Sequence, residues 1–184
     1  MQKIIDWKYA THVLYRYLSH ASDLIQARGM KRFFEYHSLK EEAEVICLMR
    51  RQANRRWKSA FPDLNLATKF LHDYQIDKFK SIYPNTVSND VYTGTIKSLI
   101  ESCLKHEEET KKLLSEEFKK APVEDIELIE EFSVCADKTC KCLMRMITHY
   151  NKFSWQAAYI ECDQKEVHDH YEKKTEEDFK MYFC

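Results

Sequence analysis

Acidic residues interrupt apolar helical stripes in this sequence. In the stretch "FFEYHSLKEEAEVICLM", residues 33–49, His37, Glu41 and Glu44 follow one another at steps of four and three. A helix would place all three on one face, together with apolar side chains of the same stretch, while Glu42 falls away from that face. A buried carboxylate is strongly disfavoured unless it is paired, protonated or bound to a cation. The spacing therefore points two acids and an imidazole at the core.

The same pattern recurs on two later segments. Glu107 lies midway along a stripe from Ile96 to Leu114, and Asp137 shares a helix face with Cys140. Carboxylates with an adjacent imidazole are hard oxygen and nitrogen ligands, which suit Fe(II), Mn(II) or Zn(II). The ordinary alternative stays open, since each acid could instead lie at the edge of its stripe and reach water.

The elements that would position these residues are long helices. The chain of 184 residues has only two glycines and three prolines, whereas strand-rich folds need frequent turn residues. Apolar spacing predicts a short helix within residues 65–79 and four long ones, at residues 4–27, 30–56, 91–119 and 122–150. Gly29 suits the left-handed position that follows a helix, so it marks the end of the first one.

The connection lengths predict how the helices are arranged. The first two and the last two are joined by a few residues, so each pair is expected to form an antiparallel hairpin. The middle connection, residues 57–92, is long enough to climb a helix of roughly 40 Å. Two hairpins joined by one long crossover form the ferritin-like variant of the four-helix bundle. We therefore expect an all-α fold with the bundle over residues 1–150 and an extra C-terminal helical segment or tail over residues 151–184.

Charge and composition exclude several classes of function. Lys and Arg total 29 against 30 for Asp and Glu, a net charge of -1, without the basic excess of a general nucleic-acid or anionic-membrane binder. No apolar run approaches the ~18 residues of a membrane-spanning helix, and the N-terminus lacks a secretory signal pattern. The seven cysteines are not spaced as a disulfide framework. We expect a cytoplasmic protein whose thiols stay reduced, with no nucleic-acid or membrane partner.

Three segments carry a resemblance to a known family. "GMKRFFEYHSLKEEAEVICLM" is similar to the second helix, "SLIESCLKHEEETKKLL" to the third and "VLYRYLS" to the first helix of the ferritin-like superfamily. The chain most closely resembles non-haem bacterial-type ferritins, over residues 4–150, in the order and spacing of these segments. The resemblance implies a protein that binds two irons inside the bundle, oxidises Fe(II) with oxygen and stores the mineral in a hollow symmetric cage of identical subunits.

The resemblance also implies roles for individual residues. The bridging glutamate of the family falls on Glu41, the third-helix glutamate on Glu107 and the site tyrosine on Tyr15, which are the residues implied for catalysis. Glu44 takes the place of a histidine ligand and Asp137 that of a fourth-helix glutamine, and both side chains can bind a metal. The implied metal ligands are Glu41, Glu44, Glu107, Asp137 and His37.

Lys8 stands where the family has its first-helix glutamate, so a cation replaces an anion in a partly degenerate di-iron site. Two unit charges ~4 Å apart interact at about 4 kcal/mol near a protein surface, and a dication doubles that repulsion. We expect at most one well-formed metal position, holding Fe or in its place Mn or Zn. Lys8 is expected to pair internally with Glu41 or Asp137.

Two functional hypotheses follow. The first is a homo-oligomeric iron-binding or iron-storage protein, whose activity, if the metal site works, is ferroxidase-type oxidation of Fe(II) by oxygen. The second is a non-catalytic ferritin-like subunit or interaction protein, in which the buried acids form ion pairs with Lys8.

Overall fold

The fold is all-α. The computed structural model describes residues 1–55, 61–74 and 87–180. These residues form helices and contain no strand, which confirms the all-α part of the predicted fold class. The helices that they form are α1 Gln2–Leu24, α2 Arg28–Asn54, α3 Leu64–Asp73, α4 Asn89–Phe118, α5 Val123–Lys152 and α6 Ala157–Phe179. None of these six combines the length and the apolar character that a membrane span needs.

The turn between α1 and α2 corrects one prediction. Gln26, with a φ of 61°, takes the left-handed conformation, and Gly29 lies inside the first turn of α2 instead. Gly29 serves a different purpose there, because a Cβ on it would lie 2.9 Å from the Cα of Gln164 in α6. The glycine is therefore needed for the close approach of two helices and not for a left-handed turn.

The helices pair as two antiparallel hairpins. From Lys8 to His12 on α1, the contacts on α2 move back from Glu41 to Ser38, where His12 Nδ1 lies 3.0 Å from the Ser38 carbonyl oxygen. This order of contacts shows that α1 and α2 run in opposite directions. α4 and α5 are joined by residues 119–122 and pack along each other as the second hairpin.

A long connection between α2 and α4 relates the two hairpins. α2 ends beside the start of α5, where Arg55 Nη1 lies 2.9 Å from Asp125 Oδ2. α4 begins at the other end of the bundle, where Tyr92 lines a cavity together with Gln26 of the α1–α2 turn and Arg28 at the start of α2. The chain therefore crosses the length of the bundle between the two hairpins.

α3 lies in this connection and covers part of α1. Asp63 caps its N-terminus, since the side chain accepts a hydrogen bond of 2.9 Å from the Asn65 backbone N–H. Phe70 of α3 packs edge-on against Trp7, with 4.8 Å between the ring centroids. The rest of the predicted 65–79 helix, the predicted end of the second helix and much of the remaining connection lie outside the described residues.

α6 packs along α2 in the same direction. Gln164 Oε1 accepts a hydrogen bond of 2.7 Å from the Met30 backbone N–H, and further along Tyr171 packs edge-on against Phe33 at 5.1 Å between centroids. The segment predicted as a C-terminal helical extension thus forms a helix that buries part of α2. Residues 181–184 of that segment lie outside the part of the chain that the structure describes.

Candidate functional site

Lys8 lies inside the bundle between two glutamates of α2. Its side chain is 2% exposed, and its Nζ donates a hydrogen bond of 3.0 Å to Glu41 Oε1 and lies 2.6 Å from Glu44 Oε2. Residues three apart on a helix share a face, so one turn of α2 presents both carboxylates to α1. The ammonium group also stands over the ring of Phe132 in α5, 4.8 Å from its centroid. The expected pairing of Lys8 with Glu41 is formed.

The charges around Lys8 are balanced. Lys40 Nζ lies 3.9 Å from the other oxygen of Glu44, so two ammonium groups face two carboxylates. Burial alone would lower the pKa of Lys8, but the charges of Glu41 and Glu44 outweigh burial and hold that pKa above its ordinary value. Lys8 therefore stays charged and supplies the acids with counter-charge from within the core.

Glu41 retains one free oxygen. Its Oε2 is buried and has no hydrogen-bond partner in the part of the chain described here. Burial raises the pKa of the Glu41 carboxyl above its ordinary value, against the pull of the Lys8 ammonium. Leaving a buried acceptor unsatisfied costs about 1–3 kcal/mol, so Oε2 is where the cluster can still accept a proton or a cation.

Glu107 is buried by a different arrangement. On α4 it accepts a hydrogen bond from the Tyr15 hydroxyl, which in turn accepts one of 3.4 Å from Cys103 Sγ. Its closest polar contact is thus a neutral hydroxyl and not an ammonium group. Burial raises the pKa of Glu107 to about 7, although the Tyr15 hydrogen bond favours the charged form. Burial therefore favours the protonated form of this carboxyl group more than water would.

His37 lies next to Tyr15 and is surrounded by aromatic side chains. Its ring packs against Phe33 at 4.5 Å, and against Tyr15 and Tyr171 at 5.8 and 5.9 Å between centroids. Burial lowers the pKa of His37 to about 3, so the imidazole is neutral. The structure brings His37, implied as a metal ligand, near Tyr15, but the contacts described for its ring are aromatic. It packs as a core residue.

Sequence reasoning misses His106, which is fully buried on α4. Its Nε2 lies 2.8 Å from Thr11 Oγ1, its Nδ1 lies 3.2 Å from the Tyr74 hydroxyl, and its ring stacks on Trp7 at 5.5 Å. Burial lowers the pKa of His106 to about 3, and a nearby ammonium group acts in the same direction. Helical spacing could find this residue, because it follows Cys103 by three positions on an apolar stripe.

Asp137 lies away from the other acids. Its side chain is 35% exposed, and its two oxygens each lie 2.6 Å from an ammonium group, one of Lys111 and one of Lys141. Hydrogen bonds from these two lysines lower the pKa of Asp137 to about 2. The structure therefore does not bring Asp137 into the inner cluster, and the alternative pairing of Lys8 with Asp137 is replaced by the contact with Glu44.

The donor set does not fit a pair of metal ions. Across residues 1–55, 61–74 and 87–180, no group of three or more His, Cys, Asp and Glu side chains is arranged to hold a metal ion. A dication placed against the acids would also meet the Lys8 ammonium, which repels it by several kcal/mol at contact distance. Glu41 Oε2 and the Glu107 carboxyl remain as oxygen donors.

No family model, curated protein or solved structure matches this chain. The chemistry of the site therefore rests on its own residues. Burial raises the pKa values of the Tyr15 hydroxyl and the Cys103 thiol well above their ordinary values, so both groups keep their protons near neutral pH. An arrangement of paired charges and protonated groups can hold charge and protons inside the bundle, but it offers no activated nucleophile.

Proposed function

We propose that this chain is a ferritin-like helical-bundle subunit that acts through assembly with other chains and does not oxidise Fe(II). The observation that carries the proposal is the position of Lys8, whose ammonium contacts Glu41 and Glu44 where the resemblance implies a metal. With these contacts formed, the acids have their counter-charge without a metal. The chain then uses the bundle as a scaffold, and its binding function lies on the outer surface.

The order of the helices supports the ferritin-like part of the proposal. Two antiparallel hairpins, α1–α2 and α4–α5, are separated by a connection that crosses the length of the bundle. The segments that resemble the first three helices of the family fall within α1, α2 and α4. α6, packed along α2, is an addition to that plan.

The same contacts argue against Fe(II) oxidation. Binding of two irons needs acids that are free to coordinate, whereas Glu41 and Glu44 each contact an ammonium group. Pushing Lys8 away from them would leave a buried charge unpaired, a cost of about 3–5 kcal/mol that metal binding would have to exceed. Tyr15 and Glu107, the other residues implied for catalysis, bond to each other instead.

Metal analysis tests the proposal. The purified protein is loaded with Fe(II) without oxygen, desalted and analysed for bound iron, and calorimetry measures the affinity. We expect no retained iron in the native protein and increased Fe(II) or Mn(II) binding in Lys8→Glu, which replaces the internal cation with a carboxylate. Lys3→Glu is the matched control, because Lys3 lies near Glu116 on the surface and its reversal leaves the core unchanged.

Two outcomes would overturn the proposal. One is iron that stays bound to the native protein after desalting. The other is a Lys8→Glu variant that keeps its helices, as circular dichroism reports, and still binds no more metal than the native chain. In that case the acids, and not the lysine, would be unsuited to coordination.

A second candidate is an iron-binding protein that holds a single Fe, Mn or Zn ion. It is favoured by the buried Oε2 of Glu41, which lacks a hydrogen-bond partner among the described residues. Glu107 acts electrostatically on Glu41 and would be the second ligand. This candidate predicts one ion per native chain, lost in Glu41→Gln and kept in Asp137→Asn. Iron storage in a closed cage belongs to it, and a size-exclusion mass far above that of a dimer would support it.

A further inference from the structure

The C-terminal end of α2 lies beside the N-terminal end of α5 on one face of the bundle, and the exposed side chains of the two ends carry opposite charge. Arg51 Nε lies 3.1 Å from Asp125 Oδ1, which sets the C-terminal part of α2 level with the N-terminal part of α5. On α2 this face presents Arg50 together with Arg51 and Arg55. On α5 it presents the exposed glutamates Glu124, Glu127, Glu130 and Glu131.

Part of this charge is not used within the chain. Arg51 and Arg55 pair with Asp125, but Arg50 and Glu127 are exposed and form no ion pair with any other residue that the structure describes. Because α2 and α5 run in opposite directions, Arg50 and Glu127 lie at nearly the same height along the bundle. A basic strip and an acidic strip therefore stand next to each other with unpaired charge on both.

Each of the two helices also exposes an apolar side chain. Ile46 on α2 is 38% exposed, and Val134 on α5 is 52% exposed. An open groove of about 500 Å³ runs along α2, and its lining includes Ala43, Ile46, Cys47, Arg50 and Asn54. Grooves between the side chains of one helix accept the ridges of another helix. The α2 part of the face thus offers an open groove lined by apolar side chains and arginines, and the α5 part offers exposed glutamates.

We propose that a second copy of this chain docks on this face. A two-fold axis parallel to the helices, above the seam between α2 and α5, lays α2 of each copy on α5 of the other at the same height. Arg50 then faces Glu127 of the second copy, twice by symmetry, and Val134 approaches the groove beside Ile46. Under this axis the basic strip of α2 in each copy faces the acidic strip of α5 in the other. The face is therefore complementary to itself, which favours a second copy of the chain as the partner.

The complex is a reversible dimer. Two apolar side chains per copy and exposed ion pairs supply less contact than an obligate dimer has, where interfaces exceed about 2,000 Å². Opposite charges orient the encounter and are screened by salt. The dissociation constant is therefore expected in the micromolar range, and it should rise with salt concentration.

Sedimentation velocity at protein concentrations up to about 100 µM tests the dimer. We expect a monomer–dimer equilibrium in the native chain. Arg50→Glu and Glu127→Arg should each weaken dimerisation by about tenfold or more, because each sets like charges against each other twice, and the double variant should restore it. Arg16→Glu, a reversal at an exposed position of α1, is the matched control and should leave the equilibrium unchanged.

A native chain that stays monomeric over this range overturns the proposal. So does a double variant that stays monomeric, or a control variant that weakens dimerisation to the same degree. Circular dichroism checks that each variant keeps its helices, as expected for exposed positions. The inference rests on the proposed function, since a subunit that acts by assembly needs an assembly face. The experiments distinguish failure of the proposed function from failure of this interface. Bound Fe(II) refutes the function, and a monomer refutes the interface.

Discussion

Glu41 and Glu107 place carboxyl groups in the same core by different means. Glu41, on α2, is held by the Lys8 ammonium, whereas Glu107, on α4, accepts a hydrogen bond from the Tyr15 hydroxyl. Burial raises the pKa of both carboxyls, and the charge of an ammonium group opposes this rise at Glu41, whereas a hydrogen bond from a neutral hydroxyl opposes it at Glu107. Lys8 and Tyr15, two turns apart on α1, therefore stabilise the two buried acids in different ways.

The different surroundings of Glu41 and Glu107 show that an acid on an apolar stripe need not be a metal ligand. An ammonium group or a proton can also stabilise it, and the two have different effects on measured stability. Loss of an ammonium group leaves buried carboxylates without a counter-charge, so it lowers stability at every pH at which these acids are ionised. Loss of an ionisable proton changes only how stability depends on pH.

Removing the ammonium group should have the largest effect. Lys8→Met leaves Glu41 and Glu44 without the counter-charge inside the core, so we expect the free energy of unfolding to fall by about 3–5 kcal/mol at neutral pH. Urea denaturation followed by circular dichroism measures this loss. A triple variant that adds Glu41→Gln and Glu44→Gln removes the stranded charges as well and should recover most of it.

Lys3→Met is the control for removal of a lysine. Lys3 is 56% exposed and lies 3.7 Å from both Glu116 and Glu117. Exposed pairs of this kind contribute about 1 kcal/mol or less. Equal losses in the two variants would mean that Lys8 matters no more than a surface lysine, and the contrast between the two acids would disappear.

The protonation state of Glu107 should appear in how the free energy of unfolding depends on pH. Its pKa in the folded chain is about 7, above the ordinary 4.5, so the folded protein binds a proton that the unfolded chain has released. That contribution to stability is complete below pH 4.5 and is lost as the pH rises through 7, on the order of 3 kcal/mol in total. Glu107→Gln keeps a neutral acceptor for the Tyr15 hydroxyl and should remove this dependence.

The measurement is the difference between native and Glu107→Gln stability from about pH 4 to about pH 8. We expect equal stability at the acidic end and a more stable variant at the alkaline end. His37 and His106, whose pKa values are lowered to about 3, weaken the fold as the pH falls below 6.5, but they act alike in both proteins and cancel. Parallel curves would show that Glu107 is ionised in the folded chain at neutral pH.

Asp137 should give the smallest effect of the acids compared. Its side chain is 35% exposed, and its partners Lys111 and Lys141 reach it from the surface. Asp137→Asn should lower the free energy of unfolding by less than about 1 kcal/mol, and the loss should shrink in high salt. Denaturation at low and high salt measures it. A loss as large as that of Lys8→Met would assign Asp137 to the internal acids after all.

Helical spacing is sufficient to predict most of the fold. The apolar stripes of α1, α2, α4 and α5 are long and regular, so the four long helices are predicted with ends shifted by a few residues. The turn after α1 is mispredicted, because Gln26 takes the left-handed position that a glycine usually holds. Gly29 instead allows the backbone of Gln164 to approach α2. This contact joins distant parts of the chain, so local spacing does not predict it.

The acid cluster is only partly predictable from spacing. Glu41 and Glu44 lie on one helix, so their shared face follows from the sequence alone. The pair of Asp137 with Lys141 is an i,i+4 contact within α5, whereas its pair with Lys111 depends on how α4 and α5 turn against each other. Contacts between helices are set by packing of the whole bundle, and a pattern within one helix cannot supply them.

Gly29 ties the last helix to the rest of the chain. It lets the backbone of α6 touch α2, and further along Tyr171 closes over Phe33 and His37. A protease that cut the chain after Tyr150 would remove this cover and leave those rings in water. Exposed aromatic surface promotes aggregation. Loss of the final helix would thus make the remaining chain prone to aggregate.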